Sequence, residues 1–244
     1  MKVLVYQCKI GTGSIWSRYW DKGKCEDFYG FEVNTAIPSV RAWADRCGYD
    51  YAFYDESTVP VTGFFTGDNN PIGYIVCERL MHMVHSDYDY VIYIDTDIFI
   101  KDTAGKFPLS KGLSICFEYD WNRNPSHDIR YFGYYGVSKE DYYYLNSGVF
   151  AVDRETAKQY YDHSINRLTT LEHPDCWLWD QDFPNYFQLQ HHDVMNFIGE
   201  EWNYDCRSID DSEHTVKFTD ANFYHFCGKS KEQYRTTFRK IIRG

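Results

Sequence analysis

The chain of 244 residues carries 25 Lys and Arg against 36 Asp and Glu, a formal net charge of −11. With 43% hydrophobic and 25% charged residues its composition is globular, which excludes a disordered or fibrous protein and allows one domain with a substantial core. The acidic balance argues against nucleic acid as a partner, because phosphate binding needs clustered Lys and Arg, but it suits a bound cation.

Residues 2–8 read as a buried strand. Residues 36–47 have helical spacing, with Ile37, Val40, Trp43 and Ala44 on one stripe and Gly48 as the stop. A short strand at 51–54 ends at Asp55. Asn70-Pro71 opens a second helix over 70–84, since Pro is well tolerated at a helix start; Ile75, Leu80, Met83 and Val84 supply its buried side. Residues 90–100 form a strand that is apolar on both faces and runs into Asp95 and Asp97. This alternation predicts an α/β fold with a mostly parallel central sheet flanked by helices. Ligands of such sheets bind outside the carboxyl ends of the strands, where Asp95 and Asp97 lie.

The second half is less regular. Residues 113–119 and 148–152 look like strands, and 154–171 like a polar-faced helix. Between them, 120–138 is a long loop bearing Trp121, Tyr131, Phe132, Tyr134 and Tyr135. Loops of that length are functional or disordered, and the aromatic content favours function. Aromatics make up 19% of the chain, which suits sugar or base stacking, although a biased genome gives the same count. At the end, Arg235, Arg239, Lys240 and Arg243 accompany Phe238, Ile241 and Ile242. Cations at a helix terminus complement its dipole, and a weak membrane-surface contact is the alternative. No repeat or linker divides the chain, so a single domain over 1–244 is expected.

The longest apolar runs are about five residues, where a spanning helix needs about 20, so no transmembrane segment is expected. The opening apolar run is too short for a secretory leader. Eight cysteines include no Cys-x-x-Cys pair, which is poor for zinc, and Cys8, Cys77 and Cys116 lie in apolar runs. No Asn-x-Ser/Thr acceptor occurs. A reducing, cytoplasmic location follows as the expectation, the host cytoplasm should the source be viral.

Four groups of residues offer chemistry. Asp95 and Asp97, at the end of a buried strand, can converge on one hard cation, and oxygen ligands favour Mg²⁺, Mn²⁺ or Ca²⁺ over zinc. His225 can add a nitrogen ligand, Gly228 lets backbone approach a phosphate, and Lys231 can neutralise a diphosphate. Asp180-Gln181-Asp182 with Asn185, and Asn146-Ser147-Gly148 leading into a strand, suit sugar hydroxyls. Each has a plainer reading when taken singly: turn-capping acids, a buried His before a turn, a helix cap, and an Asn-Ser-Gly turn.

The ordered set is more specific. Asp-x-Asp at 95–97, Asn-Ser-Gly-Val at 146–149, Asp-Gln-Asp-x-x-Asn at 180–185, Trp202-Asn203-Tyr204 and His-x-Cys-Gly-x-x-Lys at 225–231 together resemble glycosyltransferase family 8. The resemblance covers residues 70–231. That family, which includes lipooligosaccharide galactosyltransferases and glycogenin, has the GT-A fold, uses nucleotide-sugar donors and retains anomeric configuration. The resemblance implies that Asp95, Asp97 and His225 hold a divalent metal, Mn²⁺ or else Mg²⁺. It implies that Asp180 and Gln181 act at the reacting sugar, and that Asn146, Ser147, Thr96 and Arg79 bind the donor. Gly228 and Lys231 would hold the diphosphate. A UDP-sugar is the favoured donor, with guanosine as the alternative, and the acceptor would be a glycan, glycolipid or protein. Family members often carry acidic and Asn residues after the first strand to contact the base, but Tyr6-Gln7-Cys8-Lys9 stands there. Tyr6 stacking on a base and Asp55 meeting a base or ribose are the substitutes expected.

Two rivals remain. A sugar nucleotidyltransferase would show a Gly-rich phosphate loop after the first strand, of which Gly11-Thr12-Gly13-Ser14 is only a fragment. A catalytically silent saccharide- or nucleotide-binding protein of the same fold is the other.

Overall fold

A computed structural model describes residues 1–9, 28–55, 79, 82–84, 87–117, 144–170, 179–228 and 230–243. Its first strand, β1 (Val3–Cys8), is buried at every position, as a strand covered on both faces must be. Period-two alternation sends Leu4, Tyr6 and Cys8 into one core and Val3 and Val5 into another. A π-helical turn at Glu32–Ala36 leads into helix α1 (Ile37–Cys47), which ends at Gly48 in the left-handed conformation, φ 72°. Val40, Trp43, Ala44 and Cys47 are the residues it buries. Strands β2 (Asp50–Tyr54) and β3 (Tyr90–Ile94) flank β1, both parallel to it.

The predicted strand over 90–100 is broken by a turn at Asp95-Thr96-Asp97, so that β4 (Ile98–Ile100) enters a different sheet. Next come β5 (Leu113–Phe117) and β6 (Leu145–Asp153), then α2 (Arg154–Thr170) and α3 (Trp179–Gln190). The chain closes with β7 (Met195–Ile198), β8 (Tyr204–Asp205), β9 (Phe223–His225) and α4 (Ser230–Ile241).

The central sheet runs β2-β1-β3-β6-β5-β7. It is mostly parallel, as expected, with β6 alone opposing its neighbours β3 and β5. Residues of α2 and α3, among them Ala157, Tyr160, Phe183 and Phe187, cover one face. Helix α1 covers the other, together with Ile98 and Ile100 of β4 and Phe223 of β9. A small sheet, β4-β9-β8, carries a third core in which Phe226 and Ile241 pack with Phe28 and Phe31. Many aromatics therefore serve as core: Tyr6, Tyr93, Tyr204 and Tyr224 are fully buried. Of the second predicted helix, Arg79 and 82–84 are described and are helical; the aromatic loop at 120–138 and the 11–14 fragment lie outside the described residues. Among those residues, no helix is long and apolar enough to cross a membrane.

Asn146-Ser147-Gly148 differs from the turn considered above. It lies within β6, which begins at Leu145. The β5–β6 register shifts between Ile115, opposite Phe150, and Cys116, opposite Asn146, so extra residues of β6 bulge there. A bulge of this kind re-aims side chains, and here it serves the site.

A buried ion pair pins the segment between β8 and β9. The Glu200 carboxylate accepts from the Thr215 N–H at 2.7 Å and hydroxyl at 2.8 Å, and it bonds His214 Nδ1. The other ring nitrogen of His214 lies 3.1 Å from the Ser208 carbonyl, and the ring stacks on Tyr204. With an acceptor at each nitrogen, the ring is an imidazolium. Burial alone lowers the His214 pKa, but the bond and charge of Glu200 raise it above its ordinary value. Burial alone raises the Glu200 pKa, but His214 and Thr215 bring it below its ordinary value.

The sign of the pH effect follows. The His214 contribution is complete below the unfolded His pKa of about 6.5 and fades as pH rises through the elevated folded value. The Glu200 contribution is complete above the unfolded Glu pKa of about 4.3 and fades as pH falls through the depressed folded value. His214→Gln should cost about 3–5 kcal/mol near pH 5.5, the usual penalty for removing one partner of a buried pair. Thermal unfolding of both proteins from pH 5.5 to 9 should show the gap narrowing; a constant gap would mean that the ring is uncharged.

Candidate active site

The site forms where β3 ends. Its turn is held on three sides by backbone: the Asp95 N–H donates to the Gly148 carbonyl at 2.8 Å, the Phe226 N–H to the Asp97 carbonyl at 3.0 Å, and the Ile98 N–H to the Asp95 carbonyl at 3.3 Å. Buried Gln7 adds a side-chain bond, donating through Nε2 to the Asp95 carbonyl at 3.1 Å while Tyr51 donates to its Oε1 at 2.7 Å. These bonds fix the backbone, so the two carboxylates stay together despite their mutual repulsion.

Each carboxylate has basic company. The Asp95 Oδ1 receives the Arg79 guanidinium at 2.7 Å and the Tyr93 hydroxyl at 2.6 Å. That guanidinium also sits over the Tyr93 ring, 4.6 Å from its centroid. Asp97 receives Lys231 Nζ at 2.8 Å and lies 3.3 Å from His225 Nε2. The same nitrogen is 3.8 Å from Asp95. Burial alone raises the Asp97 pKa, but Lys231 and His225 hold it far below the usual carboxylate range. Burial alone lowers Lys231 and His225, and the Asp97 charge raises both.

Asp95, Asp97 and His225 thus come together as expected, their ligand atoms all within 4.8 Å of one another. Two carboxylates and one imidazole could hold a divalent metal ion. Lys231 joins them from the first turn of α4. Gly228, with φ 52°, makes the turn before that helix, which few other residues could do. Arg79, expected at the donor, reaches the acid pair directly.

Thr96 and Tyr6 are placed differently from expectation. The Thr96 hydroxyl donates to Glu32, which also pairs with Lys9. Tyr6 has no exposed face: its ring packs against Tyr93 and Tyr54, and its hydroxyl donates to the Arg79 carbonyl at 2.5 Å. It supports Arg79 from the core, and stacking on a base is closed to it. Asp55 sits exposed just beyond β2 and is not part of the cluster. Asn185, considered for sugar hydroxyls, is instead fully buried and clamps α3 to β6. Its Oδ1 accepts the Leu145 N–H at 2.8 Å and its Nδ2 donates to the Leu145 carbonyl at 3.1 Å. Asn146 and Ser147 are buried in β6 beside the cluster. Asp180 and Gln181 open α3, and their side chains lie outside the described residues. Sequence reasoning missed Glu32, a lone acid in a helical turn without a motif around it, and Gln7, which looked like a departure from a pattern.

No family model and no curated protein matches the chain. Solved structures do. A glycosyltransferase involved in the glycosylation of the major capsid of PBCV-1 is similar over 98% of this chain and 100% of its own, at 11% identity and a TM-score of 0.54. The galactosyltransferase LgtC, in complex with donor and acceptor sugar analogues, is similar over 98% of this chain and 96% of its own, at 16% identity and a TM-score of 0.53. Mouse xyloside xylosyltransferase 1 is similar over 94% of this chain and 98% of its own, at 13% identity and a TM-score of 0.51. The chain has the GT-A fold of these glycosyltransferases.

Gly148 is required by space and not by dihedral angle. A Cβ there would lie 2.5 Å from His225 Cε1 and 3.0 Å from Asn146 Oδ1. Gly148→Ala should therefore displace His225 and cost about 1–3 kcal/mol, the usual penalty for overpacking a filled site. Urea unfolding measures the loss; a stability equal to wild type would show that the imidazole has room to move.

Proposed function

From this GT-A fold, we propose that the protein is a metal-dependent retaining glycosyltransferase. It moves a sugar from a nucleotide-diphosphate donor, UDP-linked by preference, to a glycan, glycolipid or protein acceptor. The observation that carries the reading is the convergence of Asp95, Asp97 and His225 at the end of β3, with Lys231 bonded to the same acid pair. The proposed metal ligands and the diphosphate cation are all present, which argues against the rival reading of a silent binding protein of the same fold. Cys8, Cys47, Cys116, Cys206 and Cys227 are thiols, which fits the proposed cytoplasmic, reducing location.

Breaking the bond between the anomeric carbon and phosphate puts negative charge on the departing diphosphate. Asp95, Asp97 and His225 would hold Mn²⁺ or Mg²⁺, which supplies Lewis-acid stabilisation of that charge. Lys231 adds a fixed ammonium, kept protonated by its acidic neighbour. Arg79 and Tyr93 both bond the Asp95 Oδ1 and fix its orientation.

The sugar becomes oxocarbenium-like as the bond breaks. Gln181 offers a carbonyl dipole to that cation, and Asp180 orients a donor hydroxyl. Attack by an acceptor hydroxyl on the face the diphosphate leaves, its proton passing to the departing phosphate, forms the new glycosidic bond as the old one breaks and gives retention without a long-lived covalent intermediate. The aromatic residues between Trp121 and Tyr135 are of the types that suit an acceptor, whose sugar faces would stack on rings, or a lid that would exclude water.

Donor hydrolysis tests the reading. Release of nucleoside diphosphate should require Mn²⁺, stop with EDTA, and fall by about 10²-fold or more in Asp97→Ala and Lys231→Ala, the scale of losing one transition-state charge partner. Release of pyrophosphate from a nucleoside triphosphate would instead identify a nucleotidyltransferase, and release indifferent to EDTA would remove the metal. Mass spectrometry during turnover should find no glycosyl adduct on Asp180; an adduct in most of the protein would replace same-face attack with a covalent intermediate.

A further inference from the structure

We propose that Asn203 is a positioning residue that fixes which imidazole nitrogen of His225 faces the acid pair, an inference that rests on the metal-dependent reading above. The backbone N–H of Gly148 can only donate, and it lies 2.8 Å from Asn146 Oδ1, so that atom is the amide oxygen. Asn203 approaches the same oxygen at 2.8 Å. Facing an acceptor, Asn203 must present its NH₂ group. Its own oxygen is thereby turned to His225 Nδ1, 3.0 Å away. An amide oxygen accepts and cannot donate, so Nδ1 carries a proton.

The consequence falls on the other nitrogen. In a singly protonated ring the lone pair sits on Nε2, 3.3 Å from Asp97 and 3.8 Å from Asp95. Without Asn203, the opposite tautomer would be favoured, with Nε2–H donating to Asp97. That tautomer hides the lone pair from an ion at the acid pair. The relay from Gly148 through Asn146 and Asn203 therefore holds the ring in its ligating form, at the expense of a repulsion between lone pair and carboxylates that a cation relieves. Such outer partners orient metal-binding histidines and raise their basicity.

Burial gives the relay its force. Asn146, Asn203 and His225 are each no more than 5% exposed, so bulk water cannot reverse the polarity of any link. Three separate segments contribute, β6, the turn before β8, and β9, which explains why Trp202-Asn203-Tyr204 stood out in the sequence without an assigned task. Asn203 touches no substrate in this scheme. It acts through His225.

Two readouts other than turnover test the proposal on the full-length protein. The first is nitrogen NMR of ¹⁵N-imidazole-labelled protein, recorded where His225 carries one proton. The second is Mn²⁺ affinity, read from the free-ion signal in electron paramagnetic resonance. Wild type should carry the proton on Nδ1. Asn203→Leu should move it to Nε2 and weaken Mn²⁺ binding by about 10- to 100-fold, the usual loss when a ligand's supporting partner is removed. Asn203→Asp keeps an acceptor for Nδ1 and should retain that proton and recover most of the affinity, even though its clash with the Asn146 oxygen lowers the melting temperature. A purely structural Asn203 would make affinity follow stability and leave the tautomer unmoved.

An Nε2 proton in wild type overturns the proposal without any variant, as does Asn203→Leu binding Mn²⁺ as tightly as wild type. Wild type that carries the Nδ1 proton but binds no Mn²⁺ would uphold the tautomer assignment and defeat the metal-dependent reading, so the two failures are distinguishable.

Discussion

Two carboxylates at the end of one strand repel each other, and everything around Asp95 and Asp97 answers that repulsion. Arg79 bonds the first and Lys231 the second, while the neighbouring acid Glu32 has Lys9. These pairs are half-buried, so each cation serves the packing around the turn as well as the site. The arrangement also concentrates charge of both signs at one point on the surface of the sheet. That is what a phosphate-bearing ligand and a divalent cation need to meet there.

The sheet brings these groups together from distant parts of the sequence. Parallel strands β1 and β3 deliver Gln7 and the acid pair at their carboxyl ends, where ligands of such sheets bind. Opposing them, β6 brings Gly148 in antiparallel register, and its bulge against β5 turns Asn146 towards the same place. The small sheet then supplies His225 on β9, directly before the turn that carries Gly228 and leads to Lys231. A helix amino end and three strand ends converge because the two sheets share the chain at the Asp95-Thr96-Asp97 turn.

The parts of this arrangement written in local patterns were legible. Alternation of apolar strands and a striped helix gave the mostly parallel sheet, and Asp-x-Asp after a buried strand gave the acid pair. His225 and Lys231 could be assigned through the ordered motifs. What stayed hidden depends on tertiary contact. Glu32 has no neighbours in sequence that mark it, and Thr96 turns to it across the fold. Tyr6 lies near a strand end where a ligand contact was reasonable, but its ring packs among Tyr54, His82 and Tyr93 and its hydroxyl bonds the Arg79 carbonyl. Asn185 looked polar enough for a sugar, yet its amide satisfies the backbone of Leu145. For Glu32, Tyr6 and Asn185 burial decided the role, and burial is a property of the whole chain.

The proposed chemistry requires Asp95, Asp97 and His225 to hold one divalent ion together. Crystals grown with MnCl₂ and a nucleoside diphosphate, measured at the manganese absorption edge, test this most directly. A single anomalous peak within bonding distance of both carboxylates and of His225 Nε2 is the expected result. A peak that engages the acids while the imidazole turns away, or no peak at the end of β3, would contradict it.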